Sequence, residues 1–363
     1  MSVPQYNSCE DKSATFTGWA STGTAHLKPW SYYPRPLGPK DVEIEITHGG
    51  CCGSDIHTIT SGWGELKLGP VIAGHEIIGK VAMAGPESGH QVGDIVGAGG
   101  LIDACGHCVE CNRGQEQLCG QRAFVFNDTF KDGRGGITQG GFADRIRVNG
   151  DFVYKVPANI SPAEAAPLFC AGLTTYAPLR DHGAGPDKTL GVIGIGGLGH
   201  MAIQWAAAMK CKEVVAISTS DRKREEAFKL GATKFVNSKS HEEFKAAAMS
   251  LDIVLCTSID KNADWGEILS LVANGGKFIM LAMPESPMVI PPAALIFRQV
   301  SIVGSMIGGR GTTTEMLEFA SKHNVRPWIK KMPMLDANAA IKHMMEGGPR
   351  YRVVMETEAG TKM

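Results

Sequence analysis

An apolar run, Leu190–Ile193, leads directly into glycines at positions 194, 196 and 199 and then into HMAIQWAAAMK. Strand, G-x-G-x-x-G and helix in that order constrain this chain more than any other feature, because each glycine answers a separate steric demand. Gly194 permits a tight turn, Gly196 lets the backbone approach a pyrophosphate, and Gly199 lets helix and strand pack closely. Gly197 and Leu198 complete the turn, and the helix N-terminus offers N–H donors and a favourable dipole to an anion. A turn of purely structural purpose is the competing reading. Downstream, EVVAIST, REEAFKLG, KFVN, DIVLCTS and GGKFIMLAM alternate strand and helix signals at the spacing of βαβ units, which predicts a parallel, doubly wound sheet.

The first 160 or so residues have another character. DVEIEITH, EIIGKVAMAG, DIVGAG and FADRIRVN alternate apolar and polar positions between clusters of Gly, Pro and Asn, the pattern of a mostly β domain with long loops. SPAEAAPLFCAGLTTYAPL predicts a helical stretch capped by Ser161, with Pro162 in its first turn and an acid at Glu164. SIVGSMIGG reads as a last strand or crossover, TTTEMLEFASKH and DANAAIKHMME as helices, and YRVVMET as a closing strand. The 363 residues thus divide into a β domain over 1–165, a Rossmann α/β domain over 166–305, and a segment, 306–363, expected to return to the first domain.

With 36 basic against 37 acidic residues, the formal net charge of -1 provides no global field for nucleic acid or an anionic membrane. The N-terminal MSVPQYNSCEDKSATF lacks a basic start followed by an apolar run, and no segment has the roughly 18 consecutive apolar residues of a membrane helix. A cytoplasmic protein is expected. Its ten cysteines are then better suited to metal than to disulfides.

Cys105, Cys108, Cys111 and Cys119 form C-x-x-C-x-x-C-x7-C in one polar loop. Four thiolates so close complete a tetrahedral site with no position left for substrate, the composition of structural zinc; an iron–sulfur cluster is the alternative. A second set is dispersed: Cys52 in GGCCGSDIH, His75 and Glu76 in AGHEIIG, and Cys170 in PLFCAG. Sulfur, nitrogen and sulfur with an open fourth position is the composition of catalytic zinc, although each residue taken singly reads as well as a loop histidine or a packed thiol.

The strand after the glycine turn bears on the nucleotide. An NAD site commonly places an acid about 20 residues on, to hold the ribose 2'-hydroxyl. Here that strand ends in Ser218, Thr219 and Ser220, followed by Asp221 and by Arg222, Lys223 and Arg224, where charge-assisted bonds to a 2'-phosphate are feasible. NADP(H) is therefore expected. In the competing reading Ser220 or Asp221 caps the helix and the basic residues form a solvated face.

GCCGSDIH, AGHEIIG, the four-cysteine loop, NDTFKDGRGGITQGGFA, AAPLFCAGLTTY and GIGGLGHMAIQ together resemble the zinc-dependent medium-chain dehydrogenase/reductase superfamily. Within it the chain is most similar to the cinnamyl alcohol dehydrogenase branch, which includes NADP-dependent fungal alcohol dehydrogenases. The resemblance runs over nearly the whole chain. It implies a GroES-like catalytic domain beside the Rossmann domain, catalytic zinc on Cys52, His75 and Cys170, Glu76 as an exchangeable ligand, and structural zinc on the four loop cysteines. Ser54 then lies beside the substrate oxygen, Asp55 behind His75, and His57 at the outer end of a proton relay. Thr174 falls near the nicotinamide, Ser218, Thr219, Ser220 and Lys223 at the 2'-phosphate with Arg222 adjacent, and Trp63, Phe124 and Met306 on the substrate wall.

The activity implied is hydride transfer between NADP(H) and a primary alcohol or aldehyde, aryl or medium-chain, favouring aldehyde reduction, in a homodimer formed through the cofactor domains. Reduction of a conjugated carbon–carbon double bond or an iminium is the alternative on the same fold, followed by a non-catalytic NADPH-binding protein. One departure stands out: Cys51 adjoins Cys52, with Gly49 where many relatives carry cysteine. Cys52 takes the ligand position because it directly precedes Gly53, Ser54 and Asp55.

Overall fold

A computed structural model describes residues 10–66, 68–260, 262–284 and 286–362. The chain forms two compact units, the first made of Met1–Cys170, Gly308–Lys322 and Arg326–Met363, the second of Ala171–Ile307 and His323–Val325.

In the first unit the strand Asp41–Cys51 is the organising element of a seven-stranded sheet. It pairs antiparallel with Ile77–Ala84, Arg145–Asn149 and Arg352–Glu356, and the last of these also pairs in parallel with Ile329–Pro333. Val42, Ile44 and Ile46 enter the core as their alternation predicts. Glu43, on the opposite phase, is buried as well, because this strand is covered on both faces; its carboxylate is held by Arg147 Nε at 2.8 Å and Arg145 Nη1 at 2.6 Å. A smaller sheet, with Phe16–Ser21 between Lys28–Tyr32 and Val71–Ile72, has no counterpart in the sequence reading.

The second unit is a six-stranded, all-parallel sheet in the order Lys234–Asn237, Glu213–Ser218, Thr189–Ile193, Leu251–Cys256, Val272–Met280 and Ser301–Gly304. By chain order this is 3-2-1-4-5-6, the doubly wound nucleotide-binding arrangement, and its strand order reverses beside Thr189–Ile193. Leu190, Val192, Val254 and Leu255 are fully buried, as strands covered on two faces require. SIVGSMIGG supplies the edge strand Ser301–Gly304.

The helical stretch predicted from Pro162 is interrupted. A helix over Pro162–Ala165 passes into a 3-10 turn over Ala166–Phe169, Cys170 leaves helical geometry at φ -126° and ψ -80°, and a new helix runs over Ala171–Asp181. Pro167 explains the change, since it has no N–H to continue the ladder. Among the described residues, no helix is long and apolar enough to cross a membrane.

Candidate active site

Cys52 follows the strand Asp41–Cys51 and precedes the short helix Gly53–Ile59. The third residue of that helix, Asp55, is fully buried and does three jobs. Its Oδ2 accepts the Cys52 N–H at 2.9 Å, its Oδ1 accepts the Gly74 N–H at 2.9 Å, and the same oxygen lies 2.8 Å from His75 Nδ1. One carboxylate therefore ties the backbone at Cys52 to the loop that carries His75, and orients the imidazole so that Nε2 faces the thiols. Nε2 lies 3.1 Å from Cys170 Sγ, and the sulfurs of Cys170 and Cys52 are 3.7 Å apart. With an oxygen of Glu76, the four donor atoms lie within 4.8 Å of one another. The helix break at Cys170 is what leaves its side chain free to join them.

These residues fit a metal ion. Two thiolates about 2.3 Å from one tetrahedral zinc stand about 3.8 Å apart, close to the 3.7 Å found, whereas a disulfide needs about 2.05 Å. Among the described residues Glu76 Oε2 is buried without a hydrogen-bond partner, an orphan that a cation would satisfy. The other Glu76 oxygen is held by Arg352, which is also buried and lies 3.8 Å from Cys52 Sγ. Gly50 makes room for that carboxylate, since a Cβ there would meet Glu76 Oε2 at 1.9 Å.

Local electrostatics agree with a ligand set. The hydrogen bond from Cys170 holds the Cys52 thiol well below its ordinary range, and the same bond together with burial raises Cys170, so the pair shares a proton. Burial opposes charge on His75, but the Asp55 carboxylate overrides it and makes the ring more basic than a free histidine. Burial pushes Glu76 up to about 7 against the pull of Arg352.

Ser54 is half-buried, its Oγ 3.9 Å from Cys52 Sγ. His57 is exposed in the last turn of the same helix, and Trp63 stacks on its ring at 5.1 Å and 13°. Phe124 is partly exposed with Arg122 over its ring, and Met306 is partly exposed in the second unit.

The four-cysteine loop closes around a second set of donors, again within 4.8 Å. Sulfur separations of 3.9 Å (Cys105–Cys111) and 3.6 Å (Cys119–Cys105) suit one mononuclear ion; an iron–sulfur cluster would spread its thiolates over several irons. Backbone N–H groups of Cys108, Cys111 and Gln121 point at the sulfurs of Cys105, Cys108 and Cys119. Backbone N–H groups of His107 and Cys108 lower Cys105 to about 6, while burial raises Cys111 to about 12.

In the second unit, Gly194 has φ +89°, a Cβ on Gly199 would come 1.8 Å from Gly194 O, and a Cβ on Gly196 would meet nothing within 4 Å. The turn is thus closed at its first and third glycines and open at the second. Gly197 and Leu198 lead into the helix Gly199–Ala208. Ser218 ends the neighbouring strand, with Thr219 exposed and Ser220 half-buried beyond it. Arg222 Nε approaches Ser220 Oγ at 3.4 Å, and Lys223 Nζ donates to Ile195 O inside the glycine turn. The Ser220 side chain makes no capping bond, and the Asp221 carboxylate is engaged by Arg224 and Asn237. Thr174 is half-buried in the helix Ala171–Asp181.

Residues 38–158 match the alcohol dehydrogenase GroES-like domain family, and residues 197–322 the zinc-binding dehydrogenase family. The chain is 39% identical to the NADP-dependent alcohol dehydrogenase C 1 of Mycolicibacterium smegmatis over 346 residues, covering 95% of this chain and 98% of the relative. The chain belongs to the zinc-dependent medium-chain dehydrogenase/reductase superfamily. Among solved structures, a cinnamyl alcohol dehydrogenase from Sorghum bicolor superposes with a TM-score of 0.89 at 35% identity, over 94% of this chain and 98% of that one. A Helicobacter pylori counterpart complexed with NADP(H) gives 0.86 at 32% identity, over 94% and 98%. This medium-chain dehydrogenase/reductase falls in the cinnamyl alcohol dehydrogenase-like branch and is an alcohol–aldehyde oxidoreductase.

The sequence reading missed Arg352 and Gly50. A lone arginine within YRVVMET, whose other positions are apolar enough to be buried, is the signal that would have found the first.

Proposed function

We propose that this enzyme reduces aryl or medium-chain aldehydes to primary alcohols with NADPH. The observation that carries the reading is the Cys52, His75 and Cys170 donor set, gathered beside a single carboxylate and held by Asp55. Three protein donors leave one position for substrate, and zinc, when bound, supplies a Lewis acid that polarises the carbonyl.

The remaining work falls to the chain's own side chains. Asp55 keeps His75 in one tautomer and one orientation. Ser54 delivers a proton to the oxygen that becomes the alcohol's as hydride arrives from NADPH, and His57, exposed at the end of the same helix, resupplies it from solvent. Gly196, Gly197, Leu198 and Gly199 receive the pyrophosphate, Thr174 adjoins the nicotinamide, and Ser218, Thr219, Ser220, Arg222 and Lys223 receive the 2'-phosphate. The engagement of Asp221 by Arg224 and Asn237 supports NADP, since that acid is already partnered. Trp63 and Phe124 in the first unit and Met306 in the second are the candidate apolar contacts for substrate, Glu76 is an exchangeable ligand, and Cys105, Cys108, Cys111 and Cys119 hold a structural ion. In this reading residues 1–165 and 306–363, joined by Cys170, carry the metal chemistry, and the rest of 166–305 carries the nucleotide.

A homodimer belongs to the same reading. Its support is the edge strand Ser301–Gly304, which among the described residues pairs on one side only, and the exposed Ile296 and Phe297 just before it, 69% and 85% accessible. A cytoplasmic location is supported by two thiol clusters that need reduced cysteines.

The experiment is turnover of cinnamaldehyde with NADPH, with the product identified by mass. Cinnamyl alcohol, formed by the zinc-loaded enzyme and lost in Cys52→Ala, is the expected result; a saturated aldehyde would favour carbon–carbon double-bond reduction. Ser218→Asp should shift the coenzyme ratio toward NADH, and an unchanged ratio would count against the phosphate placement.

A further inference from the structure

Between its third and fourth cysteines the metal loop makes a 3-10 turn, Glu116–Leu118, and Glu116 is directed inward, 3% exposed. One carboxylate oxygen accepts the backbone N–H of Arg310 at 3.0 Å, and the other accepts Arg310 Nε at 2.9 Å. Arg310 opens the helix Arg310–His323, by which the chain runs back into the first unit from Gly308 onward. Gly309 passes so close to the loop that a Cβ would lie 2.0 Å from Gly114 O and 2.3 Å from Glu116 Oε2. Asp151, 3.6 Å from Arg310 Nη1, and the Phe152 ring complete the grip.

Immediately upstream, Ile307 has φ +37°. A β-branched residue avoids the left-handed region, and such a conformation persists only where its surroundings over-determine it. The fixed backbone at Gly309 and Arg310 supplies the downstream half of that constraint.

We propose that Glu116 is a positioning residue through which metal occupancy of the four-cysteine loop fixes the return segment Ile307–Arg310. The inference rests on the assignment of that loop to a bound ion. The thiolates set the shape of the loop, and the loop presents Glu116. Glu116 then satisfies an N–H that no helix can satisfy for itself, with its charge at the positive end of the helix dipole. When the ion leaves, the loop loses its staple, the carboxylate withdraws, and the backbone at Ile307 is released.

The test is hydrogen–deuterium exchange of residues 305–312 in the full chain, with zinc content measured on every sample. Wild type, Cys105→Ser and Glu116→Gln are compared. In zinc-loaded wild type the segment is protected. In Cys105→Ser, short of one ion, and in Glu116→Gln, which keeps both, it exchanges about tenfold faster or more, while residues 316–323 of the same helix are unchanged. Equal protection in Glu116→Gln and wild type, both carrying two ions, overturns the proposal, and this comparison decides alone if Cys105→Ser does not fold. A wild-type protein that takes up no ion at the four cysteines fails the metal assignment, which the zinc content reports separately from exchange, and the proposal falls with it.

Discussion

Asp55→Asn tests the core of the site with a change of a single atom. Asp55 presents two acceptor oxygens to three donors: Cys52 N–H at 2.9 Å, Gly74 N–H at 2.9 Å and His75 Nδ1 at 2.8 Å. Asparagine keeps one acceptor and replaces the other with an NH2 group. With its oxygen toward Gly74 and His75, the amide meets the Cys52 N–H donor against donor; flipped, it confronts two donors instead. The better orientation still leaves one buried N–H unpaired, a cost of about 1–3 kcal/mol, and removes the charge that raises His75 basicity. Loss of such a carboxylate behind a metal-bound histidine typically weakens metal affinity about 10- to 100-fold, or about 1.4–2.7 kcal/mol. The first figure is a cost to folding and the second a cost to metal affinity. Titration with a chromophoric chelator, followed ion by ion, should show one zinc leaving Asp55→Asn at a 10- to 100-fold lower chelator concentration. The ion on the four cysteines should leave as in wild type. If both ions leave at wild-type concentrations, Asp55 does not orient His75 and the reasoning fails.

Arg352→Met should lower stability by about 3–5 kcal/mol, because it strands the fully buried Glu76 carboxylate; adding Glu76→Gln should recover much of that loss in urea titrations, and additive losses would deny the pairing. Gly199→Ala places a methyl against Gly194 O, so the NADPH dissociation constant should rise about tenfold or more at unchanged zinc content; wild-type affinity would remove the turn from the nucleotide site. His48 carries a pKa below its ordinary value, chiefly from burial, with Glu356 opposing and Lys331 assisting. The unfolded chain therefore takes up this proton first as pH falls through about 6.5, so the contribution of neutral His48 is complete above that pH and lost below it. The drop in thermal midpoint between about pH 7.5 and about pH 5.5 should be smaller in His48→Gln than in wild type, and equal drops would exonerate the histidine.

The nucleotide turn was readable because its demands are local: a positive φ at Gly194, a close approach at Gly199 and an open flank at Gly196 all arise within six positions. The metal cluster is another matter. Cys52 and Cys170 are separated by 118 positions, and no periodicity joins them; only likeness to a family does. Arg352 escaped because an arginine in a strand reads as its solvent face. Val353, Val354 and Met355 beside it are all buried, so the strand has no solvent face, and the charge finds its partner 276 positions away. The break at Cys170 has a local cause, Pro167, set among helix-forming alanines on both sides. Trp63 lies on His57, a contact made through a loop whose path no pattern specifies.

The strand Arg352–Glu356 slots between Asp41–Cys51 and Ile329–Pro333, and its arginine reaches a thiol 300 positions upstream. Neighbours such as Asp41–Cys51 and Ile77–Ala84 can pair early, whereas closing so long a loop comes late in folding. Until it closes, Glu76 has no counter-charge and the sheet beside Cys52 has an open side. Arg352 thus brings Glu76 its counter-charge from the far end of the chain, on a strand that also covers the side of the sheet next to Cys52.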